Sequence, residues 1–254
     1  MNKIYPADEH VSNDPSLLEV DSPWKISKII PLVDRFAKTI NTGQINVLEA
    51  GGGAGLILSE ISSYIEKKHG IKVNKYALDL SPRLLEMQRK RNPGLKQALN
   101  EDISNTSLKN KEIDLTLLID VLEHIPNPEK ALEEIKRISN YIILKVPLDG
   151  YLIGSIWNLV RNGEPRRKGI EITGHVNIYT YGRLRNQVQN HAGQILDSYF
   201  TNVHEYFLNS PHYKTTKSQK EKLLAKGGNL TFRLSPKLSA FIFNDFAMFL
   251  VKCD

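Results

Sequence analysis

From Ile45 to Leu148 the chain alternates between short apolar segments and amphipathic ones, and this alternation limits its fold more than any other feature. INVLEA (45 to 50), KVNKYALD (72 to 79), KQALNED (96 to 102), EIDLTLLID (112 to 120) and YIILKVPL (141 to 148) read as strands. EIDLTLLID is almost continuously apolar, as central strands of a parallel sheet tend to be. Between them, Ile57, Ile61, Tyr64 and Ile65 mark one face of a helix over Gly55 to Lys68. Ser81 and Pro82 form an N-cap and first helical residue for RLLEMQRKRN, which Pro93–Gly94 stops, and PEKALEEIKRIS (128 to 139) is a third helix. Strand, helix, strand at this spacing gives βαβ units: an α/β chain with a doubly wound parallel sheet, covered on both faces. Ligands of such sheets bind beyond the carboxyl ends of the strands, near the first βα turn.

The flanks are less regular. Residues 1 to 24 read as an irregular arm, followed by an amphipathic helix from Trp24 to Ile40 with a break expected at Pro31. After Leu148, IGSIWNLV suggests a helix, NGEPRRKG a basic turn, and Tyr181 to His191 a helix. GQILDSYFTNVHEYF reads as a strand and FAMFLVKCD as a closing one, separated by a basic insertion expected to be helical at QKEKLLAK and SPKLSAFIF. The division expected is 1–40 as arm and helix and 41–254 as one domain, with a variable segment at 149–178 and the basic insertion at 208–238.

Composition excludes several classes. With 41% apolar and 24% charged residues in 254, the chain is an ordinary folding polymer. A lone cysteine, Cys253, permits no internal disulfide and no cysteine metal site. The polar start MNKIYPADEHVSNDPS has no signal-type apolar core, and no apolar run approaches the ~20 residues of a membrane span, so a cytoplasmic location is expected. Seven Lys and Arg against Glu221 between Leu208 and Leu238 give 7 − 1 = +6, equal to the net charge of the whole chain.

The first βα turn, VLEAGGGAG, places four glycines in the five positions 51 to 55. Such clusters answer a need for positive φ or for close approach of a ligand. The dinucleotide fingerprint G-x-G-x-x-G/A fails here: the sixth position is Leu56 counted from Gly51 and Leu58 counted from Gly53. No Gly-Lys-Ser/Thr follows, so it is not a P-loop. What stands is E-x-G-x-G-x-G, Glu49, Gly51, Gly53 and Gly55, and further acids lie at the ends of the next three expected strands: Asp79, Asp102 and Asp120.

This set resembles the class I S-adenosylmethionine-dependent methyltransferases, and IDVLEHIPNP (119 to 128) is similar to the fourth-strand segment of their small-molecule members. The resemblance covers residues 45 to 148. It implies a Rossmann-like sheet of seven strands, mostly parallel, with an antiparallel C-terminal strand. It also implies S-adenosyl-L-methionine as cofactor and S-adenosyl-L-homocysteine as product. Glu49, Ala50, Gly51, Gly52, Gly53 and Gly55 would meet the cofactor at the turn; Asp79 with Leu80 would take the ribose. Asp102 with Ile103 would take the adenine, and Asp120 with Val121 would stand beside the reacting methyl.

A hydroxyl acceptor requires a general base. Two histidines compete: His175 in GHVNIYT, favoured by the resemblance, and His124 in DVLEHIP. No metal site is expected. The acceptor pocket would be built from the variable parts, with Tyr151, Trp157, Tyr179 and Tyr181 offering an aromatic wall or core, and Arg161, Arg166, Arg167 and Lys168 a basic group. Three functions follow: methylation of a small molecule, with a sugar or glycoconjugate hydroxyl favoured; methylation of nucleic acid, supported by the basic insertion; or cofactor binding without catalysis. The first is preferred, because the fourth strand lacks the Asn/Asp-Pro-Pro-aromatic motif of base-amine methyltransferases. The oligomeric state is not legible.

Overall fold

The computed structural model describes residues 20–216 and 218–254. The elements are α1 (Ser22–Ala37), β1 (Gln44–Ala50), α2 (Leu56–His69), β2 (Lys72–Leu78), α3 (Pro82–Arg91), β3 (Gln97–Leu99) and β4 (Ile113–Ile119), then a 3-10 turn (Leu122–His124). Next come α4 (Pro128–Ile138), β5 (Ser139–Pro147), α5 (Leu152–Val160), α6 (Glu164–Thr173), α7 (Tyr181–His191) and β6 (Gln194–Phe200). Four helices follow, α8 (Val203–Asn209), α9 (Pro211–Thr216), α10 (Gln219–Leu234) and α11 (Pro236–Ile242), before β7 (Phe246–Lys252).

The seven strands form one sheet in the order β3-β2-β1-β4-β5-β7-β6. The first five run parallel, and β7 runs antiparallel to both β5 and β6. The chain winds outward from β1 to β3 and then returns to β4 on the other side of β1. The switch point therefore lies between the carboxyl ends of β1 and β4, where an open α/β sheet leaves a crevice.

Side chains alternate across each strand and so feed two cores. On one face Leu115, Leu117 and Ile119 of β4 meet Ile29, Leu32, Val33 and Phe36 of α1 and Leu58, Ile61 and Ile65 of α2. On the other, Leu118 and Leu48 meet Ala131, Leu132 and Ile135 of α4 and Leu184 and Val188 of α7. Each such large aliphatic side chain contributes about 1.5–3 kcal/mol of burial. No helix among the described residues is long and apolar enough to cross a membrane.

Four local expectations need correction. The helix over residues 22–37 is unbroken, with Pro31 inside it. Pro31 and Ser27 both lie on the exposed side, so the Ser27 carbonyl that loses its helical donor faces water. The cost, about 3 kcal/mol, is outweighed by the four large side chains that α1 buries. The strand expected over 96–102 stops at Leu99. Asn100 turns back to give Nδ2 to the carbonyls of Asp79 and Leu80 (3.0 and 2.9 Å), and Glu101 accepts from Ser107 N and Oγ (both 2.7 Å), so side chains replace ladder partners.

The basic turn NGEPRRKG is largely helical, opening α6: Glu164 sits in its first turn and pairs with Arg161 (3.0 Å) and Lys168 (2.7 Å). The strand expected over 193–207 ends at Phe200, and Val203 begins a helix. There Asn202 turns left-handed and caps Glu205 N, while buried Asp245 accepts from Thr201 Oγ1 and the amides of Asn202 and Val203. The basic insertion is helical in both expected places, within α10 and α11. Residues 1–19 of the expected arm lie outside the described residues.

Candidate functional site

Glu49 and Ala50 end β1, in register with Ala77 and Leu78 of β2, and Gly51 N donates to the Leu78 carbonyl at 2.8 Å. The chain then folds back through Gly51, Gly53 and Gly55, all at positive φ, so that Gly55 caps α2. Two glycines show what the turn demands. A Cβ on Gly52 would stand 2.3 Å from Glu49 Cδ, so the turn is wrapped around that carboxyl group. Gly53, at φ +54°, would project a Cβ into space that no protein atom within 4 Å fills.

The Glu49 side chain is almost wholly buried. Its Oε2 accepts from Leu58 N in the first turn of α2 (3.2 Å), whereas Oε1 has no partner among the described residues. Burial, reinforced by the charge of Asp79, pushes this carboxyl up to about 8.

The turn borders a cavity of about 240 Å³. Glu49, Gly51–Ala54 and Asp120 line it, and Leu56, Ile57 and Ile119 add apolar surface. Ser22 and Lys25, from the N-terminal turn of α1, complete the lining. Asp120 takes a left-handed backbone (φ +55°), a position that costs a non-glycine residue about 1 kcal/mol or more. Two ammonium groups hold it there: Lys145 Nζ at 2.5 Å from Oδ1 and Lys25 Nζ at 3.0 Å from Oδ2, the latter also 3.0 Å from Asp21.

Lys145, fully buried in the middle of the sheet, lies over the ring of Phe246 at 3.4 Å from its centroid. Burial works against all three charges. For Asp120 the two lysines outweigh it and keep the carboxyl below its ordinary range; for Lys25, Asp120 and Asp21 hold the ammonium above it. For Lys145 burial prevails, with Lys25 adding like-charge repulsion, and its ammonium lies below the usual range.

A second cluster stands just past Asp120, at the carboxyl ends of β4 and β5. The 3-10 turn carries Glu123 and His124, and the loop between α6 and α7 brings His175. Asn177 stitches the two segments together, its N donating to the Glu123 carbonyl (3.0 Å) and its Nδ2 to that of Ile125 (2.6 Å). His175 Nδ1 is 2.6 Å from Asp149 Oδ2, His124 Nδ1 is 3.1 Å from the Gly174 carbonyl, and the rings meet edge to face at 4.9 Å. Neither Glu123 carboxylate oxygen, both buried, has a hydrogen-bond partner among the described residues, and His124 Nε2 stands 4.0 Å from Oε1. Burial, then Asp120, holds that carboxyl well above its usual range, while burial and His175 hold the His124 imidazole below its own.

Of the residues expected from sequence, Glu49, Gly51, Gly52, Gly53 and Asp120 line one cavity. Ala50 is core, and Val121 packs beneath Gly51, where a Cβ would meet its Cγ2 at 2.7 Å. Asp79 follows β2 next to the turn and its Oδ1 accepts from Ser81 N (2.9 Å); Leu80 beside it is an exposed apolar side chain. Asp102 is not at a strand end but in the turn beyond the short β3, where Oδ1 accepts from Ser104 N (2.8 Å) and Oγ (2.7 Å); Ile103 packs on the core. The aromatic set divides: Tyr179 and Tyr181 pack into the core, while Trp157 is exposed.

Lys25, Lys145, Glu123 and Asp149 escaped the sequence reading. For Lys145 a signal existed, since an ionisable residue inside the apolar run YIILKVPL must find a partner once its strand is central.

Residues 48–140 match the family model described as a methyltransferase domain. A search of curated proteins gave no match. Among solved structures the fold is similar to a protein described as a sarcosine dimethylglycine methyltransferase from Galdieria sulphuraria, at a TM-score of 0.58, 12% identity, and 90% and 83% coverage of this chain and that one. Geranyl diphosphate C-methyltransferase from Streptomyces coelicolor A3(2) matches with TM-score 0.58, 9% identity and coverage of 87% and 77%. Phosphoethanolamine N-methyltransferase 2 from Haemonchus contortus matches with TM-score 0.58 and 14% identity, covering 90% of this chain and 53% of its own. At these identities the structures speak for the fold, and the family model speaks for the segment from β1 to the start of β5. Residues 48–140, from β1 to the start of β5, are thus similar to a methyltransferase domain, and the sheet as a whole has the fold of those methyltransferase structures.

Proposed function

We propose that the protein methylates a hydroxyl of a small molecule of sugar or glycoconjugate type. S-adenosylmethionine, when bound, supplies a methyl group on a sulfonium that is itself a good leaving group. The chain must then hold the cofactor, align the acceptor and receive its proton.

The cavity fits that cofactor on two counts. Glu49 Oε1 is a buried oxygen with no partner, suited to a cation or an ordered water, and the space above Gly53 would be closed by any Cβ. In this reading the glycine turn meets the amino-acid end, Asp79 with Leu80 takes the ribose, and Asp102 with Ile103 borders the adenine. Asp120, pinned by its two lysines, and Val121 flank the methyl.

The observation that carries the hydroxyl reading is the His175–Asp149 pair. An Nδ1–H held by a carboxylate at 2.6 Å fixes the ring and leaves Nε2 as the basic nitrogen. His124, whose Nδ1 faces a backbone carbonyl, orients the neighbouring loop. The test is turnover against a panel of sugar and other small hydroxyl acceptors. His175→Ala should lower kcat by 10²–10⁴ at unchanged cofactor affinity; a variant as active as the parent would remove the base.

A further inference from the structure

We infer that Glu123, His124 and His175 form a site for one divalent transition-metal ion of the zinc, iron or manganese class. One ligand atom from each residue lies within 4.8 Å of the others. Donors around an ion at about 2.0–2.2 Å stand roughly 3–4 Å apart, so closure asks for shifts of under ~1 Å from each side chain.

Three features of the cluster point to a cation. Glu123 is fully buried, and neither of its carboxylate oxygens has a hydrogen-bond partner among the described residues. A buried carboxyl group in that state is costly unless something positive meets it. Both histidines present Nδ1 to an oxygen, Asp149 for His175 and the Gly174 carbonyl for His124. An Nδ1–H so engaged sets the tautomer with its lone pair on Nε2, which is how metal-binding histidines are held by their outer partners. Finally, the segments are fixed against each other by Asn177 and by Gly174, where a Cβ would come within 3.2 Å of His124 Nδ1.

Two imidazole nitrogens with one carboxylate is the donor set of zinc and non-haem iron sites. It is unlike the all-oxygen sets that magnesium and calcium prefer. The inference deepens the proposed function and rests on it only for the ion's purpose. With an ion bound, His175 Nε2 would serve as a ligand in place of its role as base: the ion would lower the pKa of a hydroxyl bound to it, and that proton would leave to solvent.

The test uses the full chain, stripped with a chelator and titrated with Zn²⁺ by calorimetry and with Co²⁺ by visible absorption. One equivalent of each is expected to bind, with Co²⁺ developing the bands of a nitrogen-ligated site. Glu123→Gln should weaken Zn²⁺ binding at least 10-fold, and Asp149→Asn, which touches only the outer partner of His175, by about 10–100-fold. Asp149→Asn keeps the test open should Glu123→Gln fail to fold. S-adenosylhomocysteine affinity, measured alongside, reports on the cofactor site separately. Unchanged Zn²⁺ affinity in folded variants, or less than one equivalent in the parent, would overturn the ion site and leave the methyltransferase reading intact.

Discussion

Replacing Glu49 with Gln should make the ligand-free protein more stable at alkaline pH. The Glu49 carboxyl is pushed up to about 8 by burial and by Asp79, against an ordinary value of 4.5. A folded-state pKa above the unfolded one means that the native protein holds this proton more tightly. Stability from this group is therefore complete below about pH 4.5 and is lost as pH rises through the folded value. At about 1.4 kcal/mol per pH unit, the window from 4.5 to about 8 is worth at most roughly 5 kcal/mol, an upper figure for a group whose surroundings can relax. Gln keeps an oxygen for Leu58 N–H and never ionises. Urea unfolding of the ligand-free parent and Glu49→Gln at pH 5, 6.5 and 8.5 should show near-equal stability at pH 5. By pH 8.5 the variant should lead by several kcal/mol. Other titrating groups, Glu123 among them, cancel in the difference. A parent-to-variant difference that stays constant across this range would refute the reasoning.

Gly53→Ala should cost about 1–2 kcal/mol of stability for its left-handed backbone, without a core clash, yet weaken S-adenosylhomocysteine binding at least 10-fold by calorimetry, because the new Cβ enters open space at the cavity. Lys145→Met should destabilise by about 3 kcal/mol by removing one partner of a buried pair, and adding Asp120→Asn should restore much of the loss in a double-mutant denaturation cycle. Binding of the cationic cofactor between pH 6 and 7.5 should release up to one proton in the parent and none attributable to this carboxyl in Glu49→Gln, read from calorimetry in buffers of differing ionisation enthalpy.

What the sequence made legible was local. The turn after β1, the N-cap at Ser81 and the apolar run of β4 each lie within a dozen residues, so propensity and spacing were enough. Glu49 and Asp120 could be placed because a parallel sheet puts its strand ends in one row. Pro31 misled because its cost depends on which side of α1 faces water, and that is decided by packing against the sheet. β3 ended early because Asn100 and Glu101 found partners in neighbouring loops. The pairing of Lys25 and Lys145 on Asp120 joins α1, β4 and β5, and no local pattern announces it. Likewise His124 and His175 meet only because Asn177 and Gly174 draw two loops together, which hid Glu123 as an inward-facing ligand candidate behind the surface-like motif DVLEHIP.

The central claim is that the cavity beside Gly51–Gly53 receives the adenosyl cofactor. Calorimetric titration of the purified chain with S-adenosylhomocysteine, NAD and ATP in parallel tests it most directly. One equivalent of S-adenosylhomocysteine should bind, with NAD and ATP giving no comparable heat and Gly53→Ala abolishing most of the signal. Tight binding of NAD or ATP with none of the thioether would contradict it.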